Sequence, residues 1–291
     1  MLENLLVVFE QHPLVYLAAL LLLGLAVGSF LNVVIYRLPV MMEREWREEC
    51  LAFLEQPAED KAEKFNLSRP RSRCGNCGHV ITPIENIPVI SFLMLGGKCS
   101  QCKTSLSIQY PLVEMFTGII SVIVGYHFGV TPQALAALFL SWCLIAASGI
   151  DLSHKLLPDS ITLPLMWLGI ILAYFDLFVS LEQSVMGAIA GYMSLWSVYI
   201  LFKIFTGKEG MGHGDFKLLA MLGAWTGWQL LFVIILTASA VGAFIGISMI
   251  LLKKNERNTQ IPFGPYLASA GWLTLLWGAE IQQFYFSFLR I

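Results

Sequence analysis

Two aspartates at the ends of apolar runs are the residues best placed to do chemistry in this chain. Asp215 sits in Gly210-Met211-Gly212-His213-Gly214-Asp215-Phe216-Lys217, and Asp151 opens the polar stretch Asp151-Leu152-Ser153-His154-Lys155-Leu156-Leu157-Pro158-Asp159. Ionisable groups inside or at the rim of apolar segments are costly to keep there, so they mark functional positions by default. Two carboxylates brought together cannot both ionise easily and share one proton, leaving one acid and one base. That pair can activate water and protonate a scissile carbonyl, which is the aspartic-protease pattern at a membrane surface. Neither a His-Glu-x-x-His motif nor a Ser/His/Asp order competes for the role.

The surroundings of Asp215 carry a second signal. Gly210, Gly212 and Gly214 are expected to leave its backbone free to take positive φ and to let a substrate backbone approach. A nucleotide-binding loop is excluded because no strand precedes the glycines and no Gly-Lys-Ser/Thr follows. A plain structural role for Asp215, as the cap of a helix beginning at Phe216, stands beside the catalytic one. Capping alone does not account for the glycines.

A separate constellation is Cys74-x-x-Cys77 with Cys99-x-x-Cys102, the first pair in the glycine-rich turn Cys74-Gly75-Asn76-Cys77-Gly78-His79. Two such turns can close a tetrahedral four-thiolate Zn²⁺ site with no position left open for catalysis. A redox dithiol or paired disulfides are the competing readings, and a reducing compartment disfavours both. His79 is a conceivable substitute ligand. Cys50 and Cys143 have no partner and read as an ordinary surface thiol and a buried one.

The elements that must position these groups are membrane helices. Hydrophobic residues make up 57% of the 291 residues and charged ones 13%, with a mean hydropathy of +0.70, outside the balance of a soluble domain. The expected fold is all-α and polytopic, with about eight transmembrane helices and a zinc-binding cytoplasmic insertion between the first two. The apolar runs lie at about 14–36, 110–128, 133–150, 160–179, 184–205, 217–233, 236–252 and 264–288. The first lacks a basic preceding region and reads as a retained span rather than a cleaved signal. The division between runs six and seven, placed near Ile234-Ile235, has no turn signal to fix it. Three parts follow: 1–36, a first span; 37–109, a cytoplasmic domain holding the four-cysteine site; and 110–291, a catalytic core of about seven spans. Within the second part, Met41 to Lys64 reads as a solvated helix.

Eight alternating spans place 37–109, 151–159, 206–216 and 253–263 on one side. Seventeen of the eighteen basic residues fall on or beside that face, and only Arg290 lies opposite, so the face is cytoplasmic. Asp151, Asp159 and Asp215 then share its rim. Asp176 and Glu182 flank the outer end of the fourth span, where they can reach water. Glu114 and Asn32 lie about one turn inside their spans and either pair with polar neighbours or line a site.

Taken in order, the chain resembles the type IV prepilin peptidases, members of the Gly-x-Gly-Asp intramembrane aspartic proteases. The resemblance rests on Gly28-Ser29-Phe30-Leu31-Asn32 through Arg37-Leu38-Pro39, the paired C-x-x-C motifs, Pro111-Leu112-Val113-Glu114, Asp151 through Asp159, Gly212 through Lys217, and Pro262-Phe263-Gly264-Pro265-Tyr266-Leu267. It implies that Asp151 and Asp215 are the catalytic pair, with Gly212, Gly214, Asp159 and Lys217 in support. It also implies a substrate among prepilin and pseudopilin precursors, cut after a glycine between a basic leader and an apolar helix. The new N-terminal residue, usually phenylalanine, would then be methylated from S-adenosylmethionine. No residue can be assigned to methyl transfer from the sequence. The setting implied is a bacterial inner membrane, with the lipid bilayer as the other partner and no nucleic acid. The alternatives are peptidase activity without methyl transfer and, more remotely, a cation-coupled transporter, which would place carboxylates near the bilayer midplane. A purely structural assembly factor is a third reading.

Overall fold

The computed structural model describes residues 2–56, 65–208, 210–252 and 262–289, which are helical apart from turns and two isolated β-bridges. The chain divides into two compact units, Met1–Ala146 and Ala147–Ile291.

In the first unit α1 (Leu2–Gln11) precedes α2 (Pro13–Phe53), a helix of 41 residues. The first span and the solvated helix of the sequence reading are therefore one element as far as Phe53. Pro39 lies within it without ending it, so the helix continues past the 1–36 span. The remainder of that solvated helix, 57–64, lies outside the described residues, as do Lys253, Lys254, Arg257 and Arg290. A short α3 (Ile90–Met94) follows, then α4 (Gln109–Phe128) and α5 (Pro132–His154), within which the boundary between units falls. Helices α2 and α4 pack through small residues. A Cβ on Gly24 would lie 2.8 Å from the Gly118 Cα, and one on Gly28 would lie 2.7 Å from the Glu114 Cα. In a membrane, where lipid is as apolar as Leu, such close backbone approach supplies the packing energy between helices.

The second unit holds α6 (Asp159–Tyr174), α7 (Leu181–Thr206), α8 (His213–Thr226), α9 (Leu231–Leu251) and α10 (Gly264–Leu289). Its centre is α8, in which every residue from Leu218 to Thr226 is buried. The Trp225 indole donates to the Leu165 carbonyl of α6 at 2.8 Å, and the Ser184 hydroxyl of α7 donates to the Ala224 carbonyl at 2.7 Å. At 14 residues α8 is about 21 Å long, short of the roughly 30 Å of a bilayer's hydrocarbon core. Gly227, at φ +81, and the 3₁₀ turn Trp228–Leu230 separate it from α9. The break expected near Ile234-Ile235 thus falls earlier, where glycine permits a φ closed to other residues.

Among the described residues, five helical segments are long and apolar enough to cross a membrane: α2, α4, α5, α7, and Trp228–Met249 at α9. The protein is a helical membrane protein, and the count of eight spans is not reached by these criteria. Helix α6, of 16 residues, falls short in length. A helix wrapped by its neighbours is as apolar as one facing lipid, so apolar runs in sequence do not by themselves fix the number of spans.

The tightest crossing in the second unit is between α7 and α8. Cβ atoms added at Gly187 or Gly223 would each collide with the other's carbonyl, and one at Gly191 would lie 2.6 Å from the Leu219 carbonyl oxygen. Gly187→Val is expected to destabilise the protein by about 3 kcal/mol or more, the upper end of overpacking costs, seen as a lowered detergent-solubilised melting temperature. Gly212→Ala, whose added methyl meets nothing closer than 4.0 Å, should melt with the unaltered protein.

Candidate active site

Asp151 lies in the last turn of α5 and Asp215 in the first turn of α8; they are 5% and 8% exposed. The two carboxylates are close enough to interact electrostatically. Both belong to the second unit. Asp151 Oδ2 accepts a 3.0 Å hydrogen bond from the backbone N–H of Gly264, the first residue of α10. A Cβ at Gly264 would stand 2.6 Å from that oxygen. Glycine is therefore required for the carboxylate to sit against the peptide group.

The glycines before Asp215 act differently from the sequence reading. None of Gly210, Gly212 and Gly214 has positive φ among the described residues. Gly214 is small because a Cβ there would meet the Leu157 Cβ at 2.9 Å, and Gly210 because one would meet the Phe202 ring at 2.8 Å. Only Gly212 is open, its nearest neighbour being Asp215 Oδ2 at 4.0 Å. Leu157 also borders Gly264, at 3.1 Å from its hypothetical Cβ, so one leucine packs against both segments that carry the aspartates' surroundings. The helix cap is Gly212, not Asp215, whose side chain makes no capping hydrogen bond. At this N-terminal turn the helix dipole favours negative charge.

Asp159 and Lys217 meet each other rather than the aspartate pair. The Lys217 ammonium donates to both Asp159 oxygens at 2.8 and 2.7 Å, linking the first turns of α6 and α8. The pair is partly exposed and stabilises weakly on its own, as surface ion pairs do. Its effect is to hold the two helix starts in register. His213 packs its ring 5.2 Å from that of Tyr199 and 5.4 Å from that of Phe216. Gly264 and Leu157 were not singled out as site residues: neither carries charge, and only the Pro262-to-Leu267 motif marked the first.

In the first unit the four cysteines converge, with all Sγ atoms within 4.8 Å of one another. Cys74 and Cys102 are 3.7 Å apart and Cys77 and Cys99 4.0 Å, near the ~3.8 Å edge of a tetrahedron with ~2.3 Å metal–sulfur bonds. They are too far apart for disulfides. Each pair sits in the same kind of turn. Cys74 N–H donates to the His79 carbonyl and Gly78 N–H to that of Cys74; in parallel, Cys99 N–H donates to Thr104 and Lys103 N–H to Cys99. Gly78 and Lys103 take the matching positive φ, +72° and +59°. The donor set fits a metal ion held by four thiolates. His79 is not among the converging ligands; its Nε2 lies 3.2 Å from Glu85, whose carboxyl is held down to about 2 chiefly by hydrogen bonds from Ser100 and Thr82. Cys50 and Cys143 stand apart from the cluster, exposed and partly buried respectively.

Residues 22–128 match the family described as the bacterial peptidase A24 N-terminal domain, and residues 138–247 the type IV leader peptidase family. Proteins named prepilin leader peptidase/N-methyltransferase are similar over nearly their whole lengths. That of Stutzerimonas stutzeri is 57% identical over 97% of each chain, that of Pseudomonas aeruginosa 56% over 96% of each, and that of Dichelobacter nodosus 52% over 91% of this chain and 92% of its own. No solved structure matches the chain.

Elemental analysis of the purified protein is expected to find one metal ion per chain, and a Cys74→Ser/Cys102→Ser variant less than about a tenth of that, because two thiolates cannot complete the shell.

Proposed function

This chain belongs to the type IV leader peptidase family, and on that premise we propose how its buried groups do the chemistry. It is a bifunctional enzyme that cleaves prepilin leaders as an aspartic endopeptidase and N-methylates the exposed N-terminus. What supports the mechanism is that Asp151 and Asp215 are both buried at helix ends of the second unit, with Asp151 pinned by the Gly264 amide. With one proton between them, the ionised carboxylate takes a proton from water while the hydroxyl adds to the peptide carbonyl. The protonated partner donates to the carbonyl oxygen. Collapse expels the amine, which takes up the remaining proton.

The substrates are prepilins and pseudopilins cut after glycine. Their basic leader stays in the cytoplasm while the apolar segment stands in the bilayer of the bacterial inner membrane, so the junction lies level with a pair on the cytoplasmic rim. The open space at Gly212 is where the extended segment passes the carboxylates, and Gly214, Asp159 and Lys217 support that arrangement by packing and helix registration. The division into 1–36, 37–109 and 110–291 assigns the metal to the second part and hydrolysis to the third. Zinc is the ion, since four thiolates in a tetrahedron suit it and close its shell; it ties two turns together and takes no part in hydrolysis. S-adenosylmethionine, when bound, supplies a methyl group to the new amine, whose lone pair forms the N–C bond as the C–S pair leaves with sulfur and the nitrogen loses a proton.

Mass spectrometry of a co-expressed prepilin tests both activities in one spectrum. A mature chain beginning after glycine and carrying one added methyl is expected; a correctly cut, unmethylated chain would refute methyl transfer. Asp151→Asn and Asp215→Asn should each lower cleavage by about 10³-fold or more with the fold retained, and the bell-shaped pH–rate profile expected of a singly protonated pair should vanish in both. Gly264→Ala should reduce kcat about 10²-fold with a smaller change in KM, the cost of displacing a reacting group by about 1 Å.

A further inference from the structure

The first unit contains a cavity of about 400 Å³ bordered by the C-terminal half of α2, the start of α4 and the cysteine turns. Asn32 lines it at 7% exposure, and its Oδ1 is a buried acceptor with no partner among the described residues. The orientation of this amide is fixed, because Nδ2 donates to the carbonyls of Gly28 and Tyr110 at 3.2 and 3.0 Å. Exchanging the two amide atoms would set oxygen against both carbonyls. A buried acceptor left open costs about 1–3 kcal/mol, a cost that a donor carried by a ligand removes.

Glu114, also buried, lines the same cavity. Its Oε2 accepts from the Val89 N–H at 2.7 Å. Val89 has φ +60 and ψ −47, and Ile90 N–H closes back onto the Pro88 carbonyl. That is a γ-turn of the strained hand, rare for any residue and unfavourable for a β-branched one. Strain of this kind persists where the surroundings over-determine it, commonly at ligand sites. Tyr36, Phe92 and Tyr110 supply aromatic surface to the cavity.

Two buried acceptors, one of them a carboxylate, beside aromatic rings and the guanidinium groups of Arg37 and Arg73 suit a ligand that carries charges of both signs, is rich in N–H and O–H donors and is partly flat. We infer that this cavity is the binding site of S-adenosylmethionine, with Asn32 Oδ1 and the Glu114 carboxylate accepting from its hydroxyl and ammonium groups and the rings taking its adenine. The volume falls within the roughly 300–1,000 Å³ of small-molecule sites, whereas the single N-terminal residue of a cleaved substrate would leave much of it empty. The cavity is lined wholly by residues of the first unit, whereas the residues assigned to hydrolysis belong to the second. The inference rests on the methyltransferase reading above and adds the residues that reading lacks.

The test is ultraviolet cross-linking of methyl-tritiated S-adenosylmethionine to the detergent-purified full chain, with peptide mapping, alongside equilibrium dialysis of the same donor. Label is expected within residues 29–37 or 72–114 and should be competed by S-adenosylhomocysteine. Asn32→Leu and Glu114→Gln should each weaken donor binding by about tenfold or more, equivalent to ~1.4 kcal/mol, at an unchanged melting temperature. Label mapping elsewhere on the unaltered protein, which needs no variant to fold, would overturn the assignment while leaving methylation intact. Donor affinity unchanged in both variants would do the same. Labelling of the cavity by a photoreactive phenylalanine-leading peptide and not by the donor would give the site to the acceptor and overturn it equally. Absence of both donor binding and prepilin methylation would refute the methyltransferase reading together with this site.

Discussion

Keeping two interacting carboxylates under cover is the constraint on which the second unit depends. Like charges repel, and burial strips away the water that would screen them, so each must be held by something other than its preference. Asp151 is held by a backbone N–H, a donor that cannot rotate away, and Asp215 by the first turn of a helix whose dipole favours an anion. Both supports are main chain. The fold brings the starts of α8 and α10 to one place so that these groups are available.

That requirement explains the glycines better than conformational freedom does. Gly264 allows the Asp151 carboxylate to reach its own amide, Gly214 makes room for Leu157, and Gly210 makes room for Phe202. Gly187, Gly191 and Gly223 let α7 and α8 pack backbone to backbone. Each is small because something else is already there. Gly212 is the exception, and the space beside it faces a carboxylate. The same logic governs the first unit, where Gly24 and Gly28 bring α2 and α4 close and thereby set Asn32 and Glu114 beside a shared cavity.

The cysteine turns hold the first unit's polar segment in one shape without a large core of their own. Arg37, buried on α2, adds a second tie by donating to the Asn66 and Pro70 carbonyls at 2.9 and 2.7 Å. A guanidinium is suited to this because its donors form a fixed fork. The region wraps α2 at these points, and the solvated part of that helix continues the membrane part without a break.

The sequence by itself determined the helical membrane class, the two C-x-x-C pairs and the exposed polarity of the helix beyond Pro39. Each of these is local: hydropathy, ligand spacing and charge are properties of short stretches. It did not determine the number of spans, because the apolar run of α8 reads alike whether lipid or other helices surround it. Nor did it place the break at Gly227, the packing tasks of Gly210 and Gly214, or the cap at Gly212, since these depend on which side chains from distant segments arrive nearby. The electrostatic interaction of Asp151 with Asp215, the anchoring of Asp151 by the Gly264 amide and the tie of Asn32 to Tyr110 join residues from separate helices. Only tertiary structure decides such meetings, because a carboxylate's neighbours across a fold are set by how helices cross and not by the residues beside it in the chain.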